Sequence, residues 1–426
     1  MTKLSYDALV VGGGIAGVNT SIELARRGFT VALMEQHNSG SRNDKSLFVD
    51  GDKLPAALLT LGDFHPIPNH KLVNADRPDD GWEKQSTDVR TGVSFKTGVI
   101  QYLPVITALT AQVPACVDKI EARYISSSES ADAVTVAFKD HSDKKLTARY
   151  LIDASGDASV VSRNHSTSRC KSLISDDPLV AWLFGVRATG EFDPNTVYDP
   201  IGKDIGGTSW VTPLSSSKGD IIASGVSRLS EVRLGTRAAT LDNLIKFCET
   251  SGICKVTQIE KRLGGIIRSE PISRRDVKKS TRVWQIGQAA GMADPLMAEA
   301  FSPAYLLPSV MVKFICEGGA PTDFYDYWRF TNSMFDYDLM LAMLRRRRAY
   351  QQRGVVGSIS PIYKLLTEDL SSEAARRAVS ERRIPFNDLQ IVASKMLHDG
   401  RLRTTVIELL ARYTLTVLTK NVLQRI

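Results

Sequence analysis

The stretch that decides the fold is Tyr6-Asp7-Ala8-Leu9-Val10-Val11-Gly12-Gly13-Gly14-Ile15-Ala16-Gly17, near the start of a 426-residue chain. Its first six residues have the apolar pattern of a buried strand, and an apolar-periodic helix follows the glycines. A second apolar run, residues 29–34, ends in Glu35, which lies 18 residues beyond Gly17. The order predicts a strand, a turn, a helix and a strand, the first unit of an α/β fold.

The spacing of the glycines and the acid predicts a dinucleotide site. We expect Gly12 to permit a tight turn, Gly14 to let the backbone approach a pyrophosphate, and Gly17 to let helix and strand pack closely. The helix N-terminus then directs its positive dipole end at the diphosphate. The Glu35 carboxylate accepts hydrogen bonds from ribose hydroxyls. The residues expected to contact the dinucleotide are Gly12, Gly14, Ile15, Ala16, Gly17, Glu35 and Gln36.

Two later segments indicate which dinucleotide is bound. Residues 150–163, YLIDASGDASVVSR, resemble the strand and D-A-x-G turn of flavoprotein hydroxylases. Residues 282–291, RVWQIGQAAG, resemble the segment of those enzymes in which a helix start faces the flavin ribityl chain. Together with the N-terminal glycines, they resemble FAD enzymes of the para-hydroxybenzoate hydroxylase fold. The resemblance implies FAD as the cofactor and adds the contact residues Asp153, Gly156, Gly287, Gln288 and Gly291.

Three further segments narrow the resemblance to one branch of that fold. Residues 51–62, GDKLPAALLTLG, and 207–214, GTSWVTPL, resemble segments of flavin-dependent halogenases and their non-halogenating relatives. Residues 294–301, DPLMAEAF, resemble segments of both the halogenases and the geranylgeranyl reductases. The resemblance implies that Trp210, Pro213 and Pro295 line the flavin and substrate pocket. It also implies that Pro295 and Ala298 contact FAD.

The chain departs from these families at several positions. Thr208 and Thr212 stand where the halogenase signature has Trp and Ile, so we expect an enzyme that does not halogenate. Gln288 replaces an Asp and brings hydrogen bonds without charge to the ribityl chain. Ala298 and Ala300 replace glycines that let the isoalloxazine ring approach the backbone. FAD is therefore expected to be held loosely or exchangeably.

The resemblance implies an FAD-dependent monooxygenase that transfers oxygen from a flavin hydroperoxide to an aromatic or indole-bearing substrate, as a small molecule or within a peptide. Two alternatives stay open: an alkene reductase like the geranylgeranyl reductases, and a non-redox or partner-binding protein of the same fold. The sequence shows no second GxGxxG motif, which argues against a built-in NAD(P)H domain. NAD(P)H that binds transiently and a separate flavin reductase both stay open as the electron donor.

At roughly 150 residues per domain, the length predicts two or three domains. The motifs place the FAD-binding Rossmann-like domain in residues 1–170 plus 265–320, and an inserted β-sheet substrate domain in residues 171–264. Residues 321–426 are expected to form a C-terminal helical region. The predicted fold class is therefore α/β with an inserted sheet.

The net charge of +7 lies in one part of the chain. Residues 331–426 hold 16 Lys and Arg against 9 Asp and Glu, and the rest of the chain is balanced. The run Arg345-Arg346-Arg347-Arg348 either belongs to a solvated helical cap or forms an anion site for a phosphate, an acidic peptide partner or an anionic lipid surface, and both interpretations stay open. No recognisable nucleic-acid-binding module accompanies the charge, so nucleic acid is not an expected partner.

The cysteines favour a reducing compartment. The five cysteines are odd in number and show no CxxC spacing, which leaves a disulfide framework and a metal site unsupported. The six histidines form no HExxH or Cys/His pattern, so no metal is expected. The first residues lead into an apolar strand without a signal-peptide pattern, and no apolar run is long and uncharged enough to span a membrane. We therefore expect a cytoplasmic protein without a transmembrane segment.

Overall fold

The structure, a computed structural model, describes residues 4–36, 46–51, 54–74, 82–85, 87–88, 93–94, 97–139, 145–156, 159–166, 177–202, 207–233, 238–268, 272, 274–293 and 300–331. The strands in these ranges are β1 (Leu4–Val11), β2 (Val31–Glu35), β3 (Ser46–Asp50), β4 (His65–Pro66), β5 (Asn69–Asn74), β6 (Trp82–Gln85), β7 (Thr87–Asp88), β8 (Val93–Ser94), β9 (Thr97–Gln101), β10 (Asp118–Glu121), β11 (Arg123–Glu129), β12 (Val134–Lys139), β13 (Lys145–Asp153), β14 (His165–Ser166), β15 (Leu179–Phe192), β16 (Thr196–Gly202), β17 (Gly207–Ser215), β18 (Lys218–Arg228), β19 (Cys254–Arg268) and β20 (Val283–Gln285).

The α-helices in the same ranges are α1 (Ile15–Arg26), α2 (Ala56–Leu61), α3 (Tyr102–Ala111), α4 (Val160–Asn164), α5 (Leu229–Arg233), α6 (Ala238–Thr250), α7 (Arg274–Val277), α8 (Phe301–Cys316) and α9 (Pro321–Thr331). A short 3-10 helix, Gly287–Ala290, follows β20. Within the described ranges, every helix is too short or too polar to cross a bilayer. Of the expected C-terminal helical region, residues 321–426, only α9 falls among the described residues.

The first of two compact units is built from Met1–His65, Val99–Val180 and Ile266–Trp328. Its main sheet has the strand order β10-β2-β1-β13-β12-β11-β14, and β20 pairs with β13. The strands β10, β2, β1 and β13 are parallel to one another. Because parallel strands share a carboxyl edge, the turns that follow β1 and β13 lie side by side. The predicted α/β fold is confirmed in this unit.

The core of the first unit is the buried middle of this sheet and the helices that cover it. Residues 8–10 of β1 have no exposed surface, and residues 31–34 of β2 are almost completely buried. Helix α1 packs against α8, and the Asn19 side-chain amide donates a hydrogen bond to the Tyr305 carbonyl at 3.0 Å. The helix that follows the glycine-rich turn is therefore held by a segment from much later in the chain.

The second unit contains Pro66–Gly98 and Ala181–Gly265. Its sheet has the strand order β19-β15-β18-β17-β16-β5-β6. The pairs β16–β17, β17–β18 and β5–β6 are antiparallel, whereas β5 and β16 are parallel. Helix α6 packs against β18, and its residues Leu244 and Cys248 have no exposed surface. Strands β5 and β6 thus lie in the same sheet as β15 to β19, although they come from a much earlier part of the chain.

Candidate functional site

A glycine in the left-handed backbone region closes the turn after β1. Gly12 has φ +114°, which side chains disfavour, and its N–H donates to the Met34 carbonyl at 2.9 Å. A Cβ added at Gly12 would collide with the carbonyl group of Ala154. Glycine is required here because the ends of β1, β2 and β13 meet around this position.

Helix α1 lies directly on this turn. A Cβ added at Gly17 would overlap the carbonyl oxygen of Gly12 and lie 3.3 Å from the Cβ of Ala154. The missing side chain lets the helix approach the turn to backbone contact. The helix N-terminus is thereby fixed at the carboxyl edge of the sheet.

The N-terminus of α1 is open to a ligand. Gly14 is its N-cap residue in an extended conformation, no side chain caps the first turn, and that turn has no acidic residue. The atom nearest to a Cβ added at Gly14 is the hydroxyl oxygen of Tyr102, at 3.8 Å. The N–H groups of the first turn, including those of Ile15 and Ala16, have no partner within the helix. Such a helix end suits a phosphate group.

The carboxyl group of Glu35 lies against the same loop. Its carbon and both oxygens occupy the space that a Cβ on Gly13 would need. The backbone of Glu35 is fixed by the N–H of Ala122, which donates to its carbonyl at 3.0 Å. The side chain is half-buried, and the following Gln36 is exposed. The acid is therefore held one residue away from the open helix end at Gly14.

Asp153, at the end of β13, is fully buried. Its carboxylate accepts hydrogen bonds from other residues of the chain. Oδ1 accepts hydrogen bonds from the N–H and the hydroxyl of Ser155, at 3.2 and 2.6 Å. Oδ2 accepts from the N–H and the hydroxyl of Ser162, at 2.9 and 2.5 Å. The Asp153 carbonyl accepts from the Ile286 N–H at 3.0 Å. This residue thus fixes the turn before α4 and joins it to the end of β20.

A buried arginine, which the sequence did not single out, supports the same turn. Gly156 has φ +73° and Ser159 has φ +45°. Arg268, only 2% exposed, donates from Nη1 to the Ser159 hydroxyl at 3.1 Å and to the Ala289 carbonyl at 3.3 Å. The guanidinium therefore links the turn after β13 to the 3-10 helix after β20.

The segment after β20 packs on the N-terminus of α1. Gly287 has φ +64°, and a Cβ there would lie 3.2 Å from the Cβ of Ala16. Gly291 has φ +71° and ends the 3-10 helix, while Gln288 within that helix is partly exposed. The structure thus brings the glycine-rich loop, the Asp153 turn and the 287–291 segment together at one edge of the sheet.

The predicted pocket residues Trp210 and Pro213 lie on β17 in the second unit. Trp210, opposite Ile222, and Thr212, opposite Asp220, share one face of that strand. Trp210 is partly exposed, whereas Thr212 is 4% exposed and its hydroxyl has no hydrogen-bond partner among the described residues. The same holds for the buried hydroxyl of Ser209, on the opposite face. The face of Trp210 thus carries a partly exposed aromatic ring next to a buried hydroxyl group without a partner among the described residues.

Several predicted residues fall outside the described part of the chain. They are Pro295, Ala298 and Arg345, Arg346, Arg347 and Arg348. Within the described part, no group of three or more His, Cys, Asp and Glu side chains is placed to hold a metal ion.

A network of hydrogen-bonded side chains lies at the β14 edge of the first sheet. The sequence did not predict this network. The Ser127 hydroxyl bonds to the Tyr124 hydroxyl at 2.6 Å and to Nδ1 of His165 at 2.7 Å. Nε2 of His165 lies 3.4 Å from Oε2 of Glu129. Ser127 is 4% exposed and His165 is fully buried. The arrangement joins β11 to β14 and does not present a serine nucleophile to a substrate.

The pKa of Glu129 reflects this network. Burial alone would raise the pKa, but hydrogen bonds from His165, Ser280 and Thr281 lower it to about 2. Thr281 donates from both its N–H and its hydroxyl to Oε1, at 3.2 and 3.1 Å. The carboxylate form of Glu129 therefore stabilises the folded state.

Comparison with known proteins assigns the N-terminal part of the chain. Residues 5–173 match the family model described as an FAD binding domain. This chain carries an FAD-binding domain. Aklavinone 12-hydroxylase from Streptomyces peucetius is 54% identical over 41 residues, which cover 10% of this chain and 8% of that protein. The match therefore spans less than a tenth of that hydroxylase.

Several solved structures share the fold over most of the length of this chain. A geranylgeranyl bacteriochlorophyll reductase-like protein from Thermoplasma acidophilum has a TM-score of 0.60 and 16% identity, covering 96% of this chain and 99% of that one. The flavin-dependent brominase Bmp2 has a TM-score of 0.60 and 14% identity over 87% and 92% of the two chains. PqsL from Pseudomonas aeruginosa has a TM-score of 0.59 and 15% identity over 82% and 97%. The fold is that of the para-hydroxybenzoate hydroxylase type of flavoprotein.

Proposed function

We propose that this chain is an FAD-dependent monooxygenase that oxygenates an aromatic or indole-bearing substrate and does not halogenate it. The observation that carries the proposal is the open N-terminus of α1 at Gly14, flanked by the Gly12 turn and the Glu35 carboxylate, in a domain that matches an FAD-binding family. The short match to a hydroxylase and the fold shared with a probable FAD-dependent monooxygenase support oxygenation.

The residues of the first unit fit FAD. The uncapped N–H groups of α1 suit the diphosphate, and a Cβ added at Gly14 would have only the Tyr102 hydroxyl within 4 Å. The Glu35 carboxylate suits the ribose hydroxyls. The 287–291 segment, packed against Ala16, lies at the same edge of the sheet and offers the partly exposed Gln288 to the ribityl chain. Asp153 acts as a positioning residue, because its carboxylate already accepts four hydrogen bonds.

Bound FAD, once reduced, supplies the electrons with which molecular oxygen is activated. The chain supplies binding and orientation. We assign the aromatic part of the substrate to the face of β17 that carries Trp210, where ring contacts favour an aromatic partner. We assign one polar group of the substrate to the Thr212 hydroxyl, since a buried hydroxyl without a partner is costly unless a ligand completes it. The sequence-based prediction that Pro213 and Pro295 also line the pocket stays a prediction, because Pro213 lies on the opposite face of β17 and Pro295 lies outside the described residues.

The experiment that tests the proposal follows the fate of oxygen. The purified protein, loaded with FAD and reduced without air, is mixed with isotopically labelled oxygen and a set of indoles and phenols. Incorporation of one labelled oxygen atom into a product is the expected result. Reduction of a prenyl alkene without oxygen would replace the proposal by the reductase alternative. A protein that binds no FAD would contradict both and support the partner-binding alternative.

The electron donor, the partners and the location are also proposals. NAD(P)H or a separate flavin reductase supplies the electrons, and steady-state turnover with each donor distinguishes them. We propose an acidic partner for the four arginines 345–348, and their replacement by Gln should then reduce turnover with the natural substrate and remove its salt dependence. Unchanged turnover would favour a solvated cap. The odd number of cysteines and the lack of CxxC spacing support a cytoplasmic location.

A further inference from the structure

Two buried cysteines of the second unit meet where helix α6 ends. Cys248 lies in the last turn of α6, and Cys254 is the first residue of β19. The chain between them turns at Gly252, with φ +67°, and the Ile253 N–H donates to the Cys248 carbonyl at 2.9 Å. Both cysteines are free thiols, and they lie near enough for each side chain to influence the ionisation of the other. The local turn therefore brings two reduced cysteines close together in the buried part of this unit.

The two thiols differ in environment. Cys248 has no exposed surface, whereas Cys254 is 6% exposed and is followed directly by the exposed Lys255. The hydrogen bond that Cys248 donates lowers the pKa of Cys254, and the same bond together with burial raises the pKa of Cys248. Cys254 is thus the thiol that ionises more readily and that a small reagent reaches first.

We propose that Cys254 and Cys248 form an oxidative modification site that takes hydrogen peroxide and becomes a disulfide. The Cys254 thiolate attacks one peroxide oxygen, so that a sulfur–oxygen bond forms, the oxygen–oxygen bond breaks and hydroxide leaves. The Cys248 sulfur then attacks the oxidised Cys254 sulfur. The sulfur–sulfur bond forms, the sulfur–oxygen bond breaks, and the departing oxygen takes the Cys248 proton.

Two thiols lose two electrons and two protons, and one peroxide is reduced to two waters. The step does not depend on the proposed oxygenase activity, because any source of peroxide supplies the oxidant. Its structural effect is to tie the end of α6 to the start of β19 across the five intervening residues.

The first experiment uses the full-length wild-type protein, which needs no substitution. The protein is reduced, freed of reductant, treated with hydrogen peroxide, blocked with an alkylating reagent and digested without reduction for mass spectrometry. We expect a peptide or peptide pair that contains Cys248 and Cys254, lighter by two hydrogen atoms and unalkylated at both. Addition of dithiothreitol should restore alkylation at both positions. Alkylation of both residues after peroxide treatment would overturn the proposal.

Single substitutions then show which cysteine reacts with peroxide and which one attacks the oxidised sulfur. In Cys248→Ser, we expect Cys254 to stop at the sulfenic acid and to be trapped by dimedone. In Cys254→Ser, we expect Cys248 to show no dimedone adduct. The matched control is Cys116→Ser, which removes an exposed free thiol and should leave the disulfide unchanged. Dimedone labelling of Cys248 but not Cys254 would overturn the assignment, and a disulfide from either residue to Cys116 or Cys316 would overturn the proposed pair.

Discussion

The carbonyl oxygen of Gly12 occupies the position that a side chain on Gly17 would need. This contact sets the distance between the turn after β1 and the helix that follows it. A methyl group at residue 17 meets backbone, which cannot move aside as a flexible side chain does.

We expect Gly17→Ala to lower the free energy of unfolding by about 1–3 kcal/mol, the usual cost of overpacking. Urea unfolding of the protein without flavin measures it. The matched control is Gly14→Ala, in the same loop, where the nearest atom to the added methyl group is 3.8 Å away. Equal free energies of unfolding for Gly17→Ala and Gly14→Ala would contradict the close contact between residue 17 and the Gly12 carbonyl.

Gly14→Val should abolish FAD binding while the fold remains. The side chain has space in the protein alone, but it fills the place proposed for the diphosphate. Flavin absorbance of the purified protein and thermal unfolding without FAD separate the two effects. Full flavin content would refute the assignment of the diphosphate to this helix end.

Glu35→Ala should weaken FAD binding less severely. Loss of a hydrogen bond to a charged group costs about 1.5–3 kcal/mol, which raises the dissociation constant by roughly 10- to 100-fold. Titration of the protein with FAD measures this change. Gln36→Ala, at the exposed neighbouring position, is the control and should change affinity little. An unchanged affinity in Glu35→Ala would argue against a ribose contact.

The Glu129 network predicts a loss of stability in acid. The pKa of Glu129 is lowered from 4.5 to about 2 in the folded protein. The carboxylate therefore stabilises the fold above about pH 4.5, and this contribution of about 3 kcal/mol is lost as the pH falls towards 2. Urea unfolding between pH 6 and pH 3 should show a smaller pH dependence for Glu129→Gln than for the wild type. Glu191→Gln, at a side chain 76% exposed, should behave as the wild type; identical curves for all three proteins would disprove the linkage.

Thr212→Val should raise KM for the aromatic substrate without destabilising the protein. One lost hydrogen bond of about 0.5–1.5 kcal/mol corresponds to a roughly two- to tenfold change. The fold should tolerate valine, because the Thr212 hydroxyl has no partner among the described residues. Ser209→Ala removes a similar hydroxyl on the opposite face of β17 and should leave KM unchanged. An equal effect of both substitutions would point to a structural role.

The sequence predicted those features that are encoded locally. Strand β1, helix α1 and the acid at the end of β2 follow from the glycine spacing and the apolar pattern, since a tight turn and an open helix end require specific residues. The second sheet was harder, because β5 pairs with β16 across more than a hundred residues and its short segment carries no distinctive pattern. The contacts of Arg268 with Ser159 and of Ser127 with His165 likewise join distant positions. Spacing alone does not reveal such partners.

The packing of α1 against α8 has a consequence for synthesis of the chain. The apolar face of α1 is complete once Arg26 has been made, but α8 begins only at Phe301. At roughly 5–20 residues per second, the ribosome needs roughly 14–55 s to supply the missing partner. During that interval the apolar face of α1 stays exposed on the nascent chain. We therefore expect chaperones to bind the nascent chain at this face. Premature termination before α8 should yield an insoluble or rapidly degraded fragment.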